Sequence, residues 1–237
     1  MRRAVDRRPC GADFPLCTIP AMRPLVTLLL LTLLLTACGK PDKPTMGLYP
    51  AIHRGDINQI ERHIRWGTDI NQVDADGRRP LHVAAAQGEY VIARMLVKAG
   101  AEIDAPDRNG HSPLYVAIMA SRPRVAELLA KLGASYDPDR LLDAVVERGL
   151  SQRDVIRLLV AWGADLNRRR ADGSTPLIRA IRAGNRVLVK NLVLQGADVN
   201  LADAAGNTPL AIATTAANQE IVRLLRRNGA RMEQSGA

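Results

Sequence analysis

Apolar residues recur along most of the chain at helical spacing, in short segments that end at glycine. Leucine pairs such as Leu128–Leu129 and Leu224–Leu225 are flanked by polar residues, which is the pattern of a short helix that buries one stripe. A glycine at the end of such a helix can adopt the left-handed conformation that stops it. The pattern therefore predicts many short helices separated by glycine turns.

A fixed period links these segments. Glycine followed by a small residue is spaced by 33, 33, 30, 33 and 33 residues, and Pro-Leu pairs by 33, 63 and 33. The markers are Gly67, Gly100, Gly133, Gly163, Gly196 and Gly229, and Pro80, Pro113, Pro176 and Pro209. Both kinds of marker share the 33-residue period, and the 63-residue spacing is the sum of one ordinary unit and the short 30-residue unit. A period of this length indicates stacked repeats.

The repeated sequence resembles the ankyrin repeat. One unit reads DGRRPLHVAAAQGEYVIARMLVKAGAEID and another reads DGSTPLIRAIRAGNRVLVKNLVLQGADVN. The resemblance covers about 185 of the 237 residues. It implies an all-α solenoid of about six stacked helix-turn-helix units with β-hairpin fingers. The expected repeat domain is 47–237, with units at about 47–73, 74–106, 107–136, 137–169, 170–202 and 203–237. The first unit lacks the leading hairpin.

Local signals explain why such a unit folds. Ser112, Thr175 and Thr208 are expected to cap the first helix of their units, with proline at the first helical position. A small residue recurs four positions after the proline, where neighbouring first helices can pack closely. These residues are Ala84, Ala117, Ala180 and Ala213. Because no unit hides its apolar face alone, stacking is expected to form one elongated core.

The fourth unit departs from the pattern, because it has no Thr-Pro-Leu segment. Counting back from Gly149 places Leu141 in the proline position, whereas matching Ala144 to the recurrent alanine places Arg140 there. The finger is then five residues shorter, and the segment from Gly149 to Gly163 is two residues longer than usual. We interpret this as a truncated finger and a lengthened turn between helices, which is either a binding feature or a tolerated lesion.

The N-terminal segment 1–37 has the features of a secretion signal. Leu25–Leu35 is an apolar run that follows Arg23, as in a signal peptide, and it is too short for the roughly 20 residues of a membrane-spanning helix. The sequence Leu-Thr-Ala-Cys-Gly at 35–39 resembles a bacterial lipoprotein signal, which implies cleavage before Cys38 and acylation of that cysteine. Two or three acyl chains give stable anchoring. The alternative is an ordinary signal peptide with a chance cysteine.

Processing at this position leaves residues 38–237. Met22 is an alternative start, in which case residues 1–21 are an upstream artefact rather than a long n-region. Residues 38–46 are expected to form the lipidated cysteine and an extended tether. The seven residues 39–45, fully extended, reach only roughly 20 Å. By resemblance to the lipoprotein sorting rule, Gly39 favours the outer membrane, with the folded domain in the periplasm.

Composition narrows the function further. Aromatic residues make up 3% of the chain, which suits thin helices packed through Leu, Ile, Val and Ala. Three cysteines exclude a disulfide-dense scaffold and Cys-based zinc modules. No phosphate loop, nucleophile-elbow serine or pocket carboxylate pair is found, and His53 and His63 lack the spacing of a helical metal pair. No metal, cofactor or catalytic residue is expected. The ankyrin resemblance gives His82 a structural role between finger and helix, and gives structural roles to the finger acids Asp74, Asp76, Asp107, Asp172 and Asp203.

The charge points to one region. The net charge of +9 becomes +6 after processing, which together with a periplasmic location disfavours nucleic acid as a partner. The basic excess collects around the fifth unit, at Arg168, Arg169, Arg170, Arg179, Arg182 and Arg186. We expect an arginine patch that receives carboxylates of an acidic protein partner; the alternative is a solvated basic face of little energetic value.

The ankyrin resemblance also implies where a partner binds, since the family usually uses its finger tips and the concave side of the first helices. The candidate partner-binding residues are Arg78, Asn109, His111, Met119, Ser174, Arg179, Arg182, Asn207 and Thr215. The predicted function is that of a membrane-anchored periplasmic protein that binds another protein, as an inhibitor or immunity protein of an envelope-acting enzyme. The alternatives are a scaffold for a periplasmic stress-defence or envelope-assembly protein, a purely structural tether, and an enzyme, which the missing catalytic residues disfavour. No small-molecule substrate is expected.

Overall fold

Twelve helices form six consecutive pairs in residues 42–232, the part of the chain that the computed structural model describes. The pairs are α1 (Leu48–His53) with α2 (Ile57–Trp66), α3 (Pro80–Gln87) with α4 (Tyr90–Lys98), α5 (Pro113–Met119) with α6 (Pro123–Lys131), α7 (Pro138–Glu147) with α8 (Arg153–Ala161), α9 (Pro176–Arg182) with α10 (Arg186–Leu194), and α11 (Pro209–Thr215) with α12 (Gln219–Arg227). The predicted signal peptide, the alternative start Met22, Cys38 and Gly39 lie outside the described residues.

The predicted caps are confirmed. The side chain of Ser112 accepts a hydrogen bond from the backbone N–H of Tyr115, and Thr175 and Thr208 cap α9 and α11 in the same way. A proline follows each cap, where its missing N–H costs nothing. The six glycines predicted to end second helices also have positive φ, for example 96° at Gly100.

Stacking of the pairs produces one core. Each first helix packs against the first helices before and after it, and second helices pack in a parallel row. The four recurrent alanines at the first-helix contacts are fully buried, which lets the helices approach closely. The core cluster runs continuously from Leu48 in α1 to Leu225 in α12, so each unit covers the apolar face of its neighbour.

The fingers are short turns. In the finger of the second unit, the N–H of Asp74 donates to the carbonyl of Arg78 (2.9 Å), and the N–H of Gly77 donates back to Asp74 (3.0 Å). The same closure occurs at Asp107, Arg170 and Asp203. No β-strand occurs within residues 42–232, so the expected hairpins are reduced here to their turns.

The fourth unit has the truncated finger and the longer inter-helix turn that the sequence predicts, but its first helix begins earlier than expected. α7 starts at Pro138, after the cap residue Asp137, and not at Leu141 or Arg140. The start is displaced because Asp137 and Pro138 provide a cap and a first helical residue one turn ahead. Val145 is fully buried in α7, which is the alanine position of the count that uses Leu141.

Side chains of the fifth unit hydrogen-bond to the lengthened turn between α7 and α8 of the fourth unit. Asn185 donates its side-chain amide to the carbonyl of Gly149 (2.8 Å), and Asn191 donates to the carbonyl of Ser151 (2.6 Å). Asn191 is a buried polar residue, so this hydrogen bond also satisfies its amide. The insertion is therefore built into the stack.

The end of the predicted tether is part of the first unit. The N–H of Thr45 donates to the side chain of Gln59 (3.0 Å), and the carbonyl of Met46 lies 2.8 Å from Nε2 of the buried His63. These two residues, which we expected to be tether, are fixed to α2 instead. Across residues 42–232, none of the helices has the length and apolar character needed to cross a membrane.

Candidate functional site

Fingers and first helices share one face of the stack, which we call the finger face. It consists of the four finger turns and the exposed sides of α3, α5, α7, α9 and α11. All nine candidate residues belong to these elements. The structure places four of them in two cavities and the other five elsewhere on these elements.

A cavity of about 390 Å³ brings three of the candidates together. Arg182 on α9, Asn207 in the last finger and Thr215 on α11 all line it. Ala211, Ile212 and Ala216 complete the lining. We call this cavity the α9–α11 pocket. Its lining combines polar and apolar side chains, which is the composition of a site that buries an apolar group and orients it by hydrogen bonds.

Arg182 is held in place by two carboxylates. Its Nη2 lies 2.7 Å from Oδ2 of Asp203, and its Nη1 lies 3.6 Å from Oδ2 of Asp172. The Arg182 side chain is 44% exposed, whereas that of Asp203 is 3% exposed. Burial acts to raise the pKa of Asp203, but hydrogen bonds from Asn207 and Ala205 and the charge of Arg182 lower it below its usual value. Arg182 is thus oriented but still accessible.

The expected open arginine patch is not present. Oxygen atoms of Asp139, Asp143, Glu147 and Glu220 lie within ion-pair distance of Arg168, Arg170, Arg179 and Arg186. The pair of Arg170 and Glu147 lowers the pKa of that carboxyl, mainly through a side-chain hydrogen bond. Most of the cluster is therefore paired with carboxylates within the chain.

A signal for these partners exists in the sequence. Asp139, Asp143 and Glu147 are spaced by four residues, which places them on one face of a helix. That face of α7 meets the arginines of the fifth unit. Charge counting along the chain missed the pairing because the partners come from neighbouring repeats, 23 to 36 residues apart in the closest pairs.

Two candidates offer little surface to a partner. Ser174 is 1% exposed, and its hydroxyl donates to Oδ1 of Asp172 at 2.6 Å. The Arg179 side chain is 13% exposed and pairs with Asp143. Both were expected on the binding surface because of their repeat positions. Ser174 instead bonds within its own finger, and Arg179 pairs with the preceding unit.

A second cavity, of about 340 Å³, lies where the fourth finger is truncated. His111, Tyr115, Tyr136 and Arg140 are among its lining residues. We call it the notch. The rings of His111 and Tyr115 stack with centroids 4.3 Å apart and planes 7° apart, and Tyr136 is 41% exposed. Sequence reasoning proposed His111 but missed the tyrosines, since their role depends on the finger that is absent.

The three remaining candidates lie on the finger face but outside these two cavities. Arg78 is 43% exposed and pairs with Asp74 (3.0 Å) and Asp76 (2.8 Å) in its own finger. Asn109 is exposed at a finger tip. Met119 is half-buried and packs partly against the core.

His82 serves the fold. His82 is fully buried, its Nε2 lies 3.0 Å from the carbonyl of His111, and its Nδ1 accepts from the N–H of Arg79. It therefore ties one unit to the finger of the next, in the structural role expected for it. Within residues 42–232, no cluster of three or more His, Cys, Asp or Glu side chains could hold a metal ion.

Comparisons with known proteins match this architecture. A family model described as ankyrin repeats (three copies) matches residues 48–140 and 141–235. The human ASB11 ankyrin repeat domain is similar with a TM-score of 0.63 and 25% identity, over 81% of this chain and 87% of that domain.

Two further relatives match very different lengths of this chain. A chain in the structure of the Bd0816 predatory endopeptidase from Bdellovibrio bacteriovorus in complex with immunity protein Bd3460 is similar with a TM-score of 0.58 and 25% identity, over 78% of this chain and 99% of that chain. The potassium channel GORK of Arabidopsis thaliana is 40% identical over 52 residues, which are 22% of this chain and 6% of the channel. This chain thus matches a small part of that channel's length.

Proposed function

The chain belongs to the ankyrin repeat family, whose repeats bind protein partners, and from this premise we propose that it is a membrane-anchored periplasmic protein that inhibits an envelope-acting enzyme. The partner binds the finger face, and the bound fingers block the enzyme's active site. The protein itself performs no catalysis.

The observation that carries this proposal is the pair of cavities on the finger face. The α9–α11 pocket and the notch lie on the same side of the stack, and each has apolar surface beside oriented polar groups. The finger turns are already closed by their own hydrogen bonds, so little ordering is needed on binding. A preformed surface with two cavities suits a folded protein with projecting side chains.

The inhibitor version draws support from one structural relative. The Bdellovibrio bacteriovorus structure contains an immunity protein in complex with an endopeptidase, and the similar region spans nearly the whole of the matched chain. A stabilising scaffold for a periplasmic protein would use the same face, so the effect on the partner's activity distinguishes the two functions.

The membrane anchor is part of the proposal and rests on the N-terminal sequence. Cleavage before Cys38 and acylation of its thiol would attach the repeats to the membrane by residues 38–44. The substitution Cys38→Ser is expected to leave an unprocessed, unlipidated precursor, detected by its mass and by loss of metabolic acyl labelling. Normal processing and membrane retention of this variant would contradict the anchor and leave the binding function intact.

The binding function is tested by partner recovery followed by an activity assay. The full-length chain, purified in detergent, is used to recover proteins from an envelope extract, which are identified by mass spectrometry. We expect one stoichiometric enzyme whose activity falls to a minimum at one equivalent of the chain. Turnover of an envelope substrate by the chain without any partner would contradict the proposal, and a recovered partner with unchanged activity would favour the scaffold.

A matched pair of variants assigns the binding face. Thr215→Arg fills the α9–α11 pocket, and since the Thr215 hydroxyl bonds only within its own helix, the fold is expected to survive. Arg157→Glu changes an exposed side chain on the second-helix side. Thr215→Arg should raise the Kd for the partner by about tenfold or more, and Arg157→Glu should leave it unchanged.

A further inference from the structure

A further groove lies away from the finger face. It has a volume of about 680 Å³ and runs between α10 and α12, the second helices of the last two units. Four basic residues line it, Arg186, Lys190, Arg223 and Arg227, against one acidic residue, Glu220. We call it the basic groove.

Most of this positive charge is uncompensated. Glu220 pairs with Arg186 at 2.7 Å, which leaves Lys190, Arg223 and Arg227 without an ion pair in residues 42–232. In the arginine cluster around the fifth unit, by contrast, the acids of α7 pair with Arg168, Arg170 and Arg179. The positive surface of the last units therefore lies on the second helices.

The preceding second helix, α8, neutralises the equivalent cation. Its Arg157 pairs with Asp154 (3.1 Å). One period of 33 residues after Arg157 and Asp154 stand Lys190 and Val187. The neutralising carboxylate has thus been replaced by an aliphatic side chain, and the cation remains.

Apolar surface accompanies the free cations. Val187 is 48% exposed and Leu194 is 55% exposed, and both line the groove. The floor is fixed, because Asn191 is buried and bound to the turn between α7 and α8. Exposed aliphatic groups between unpaired cations form a surface complementary to an amphipathic segment with acidic residues.

We propose that the basic groove binds an acidic amphipathic helix of a protein partner. Its aliphatic face contacts Val187 and Leu194, and its carboxylates pair with Lys190, Arg223 and Arg227. A groove favours this occupant over an anionic bilayer, since a planar layer of headgroups would reach the cations on the rim and leave the floor uncovered. The proposal is independent of the finger face, so both surfaces can be occupied at once.

The test uses a defined probe. A fluorescent helical peptide of about 12 residues, which is long enough to span the roughly 14 Å of α10, carries leucines on one face and glutamates beside them. Binding to the purified full-length chain is measured by fluorescence anisotropy, together with an isosteric glutamine peptide and with vesicles containing phosphatidylglycerol. We expect saturable binding of the glutamate peptide that weakens with salt, and at least about tenfold weaker binding of the glutamine peptide.

Variants locate the binding. Lys190→Glu combined with Arg223→Glu should weaken peptide binding by about tenfold or more, and Leu194→Ser should weaken it with the charges intact. Arg157→Glu on α8 and Thr215→Arg on the finger face should leave it unchanged. Thermal unfolding of each variant confirms that the exposed substitutions preserve the fold.

Two results would overturn the proposal. The first is equal affinity of the double variant and the unaltered chain for the glutamate peptide. The second is binding of the vesicles without binding of the peptide, which would assign the groove to a membrane surface instead.

Discussion

Gly173 shows how one residue sets the distance between neighbouring fingers. Its φ is 70°, and a Cβ at this position would lie 2.3 Å from the backbone nitrogen of Ala204 in the next finger. Gly206 has a similar φ of 80°, but nothing lies within 4 Å of the equivalent Cβ position. Substitution of Gly206 therefore measures the cost of the backbone conformation alone, and substitution of Gly173 measures that cost together with the cost of a steric clash.

This comparison gives a first prediction. Gly206→Ala should lower the free energy of unfolding by about 1 kcal/mol, the cost of a left-handed alanine. Gly173→Ala should cost at least about 2 kcal/mol more, because the fingers must move apart. Chemical denaturation measures both values. Equal losses would show that contact between the fingers of the fifth and sixth units is unimportant for stability.

His82 connects stability to pH. Burial lowers its pKa, although the hydrogen bond to the carbonyl of His111 and the charge of Asp107 act against this. The folded protein thus binds a proton at His82 less readily than the unfolded chain, whose histidine pKa is about 6.5. The contribution of the neutral ring is complete above about pH 6.5 and decreases as the pH falls below that value.

A second prediction follows for His82→Ala. The substitution leaves the carbonyl of His111 and the N–H of Arg79 without these hydrogen bonds, and should cost about 2–3 kcal/mol near pH 7.5. Between about pH 7.5 and pH 5.5, the unaltered chain should lose more stability than the variant. Urea titrations at both pH values check this, and a larger loss in the variant would contradict the direction of the pKa shift.

Residues whose role depends on local sequence were predictable. The caps at Ser112 and Thr175 act within three residues of their own position, and the left-handed conformation of a helix-ending glycine depends on its lack of a side chain. Arg179 was misassigned because its burial depends on Asp143, which belongs to the preceding unit. Spacing along one helix indicates which face a residue occupies, but not what covers that face.

At the scale of the helix, α7 is the element that most changes the expected picture. It begins one turn early at Pro138 and presents its acids to the arginines of the fifth unit. The truncated finger of the fourth unit was predictable from the sequence, because that segment is five residues shorter than in the other units. The notch that it opens was not, because its walls come from Tyr115 and Tyr136, near the two ends of the third unit, and from Arg140 of the fourth.

A third prediction concerns the contact between α7 and α9. Asp143→Ala leaves the guanidinium of Arg179, whose side chain is 13% exposed, without its carboxylate, and should cost about 2–3 kcal/mol of unfolding free energy. Asp154→Ala removes an exposed pair with Arg157 and should cost less than about 1 kcal/mol. In Asp143→Ala combined with Arg179→Met, much of the stability should return. If the double variant is no more stable than Asp143→Ala, the loss does not come from the uncompensated charge.

Across the whole repeat domain, charge separates two surfaces. The finger face is largely neutralised between repeats and offers two cavities with apolar and aromatic walls. The second helices of the last two units carry unpaired cations beside exposed aliphatic side chains. The net positive charge was predictable from composition, but its position required knowledge of which acids face which arginines.

The central claim is that a protein partner binds the finger face, and photo-crosslinking in intact cells tests it most directly. A photoreactive amino acid replaces Thr215 in the α9–α11 pocket, Tyr136 in the notch, or Arg157 on α8. We expect the first two positions to crosslink to the same envelope protein and position 157 not to do so. Crosslinks to a common partner from position 157 alone, with none from positions 215 and 136, would contradict it.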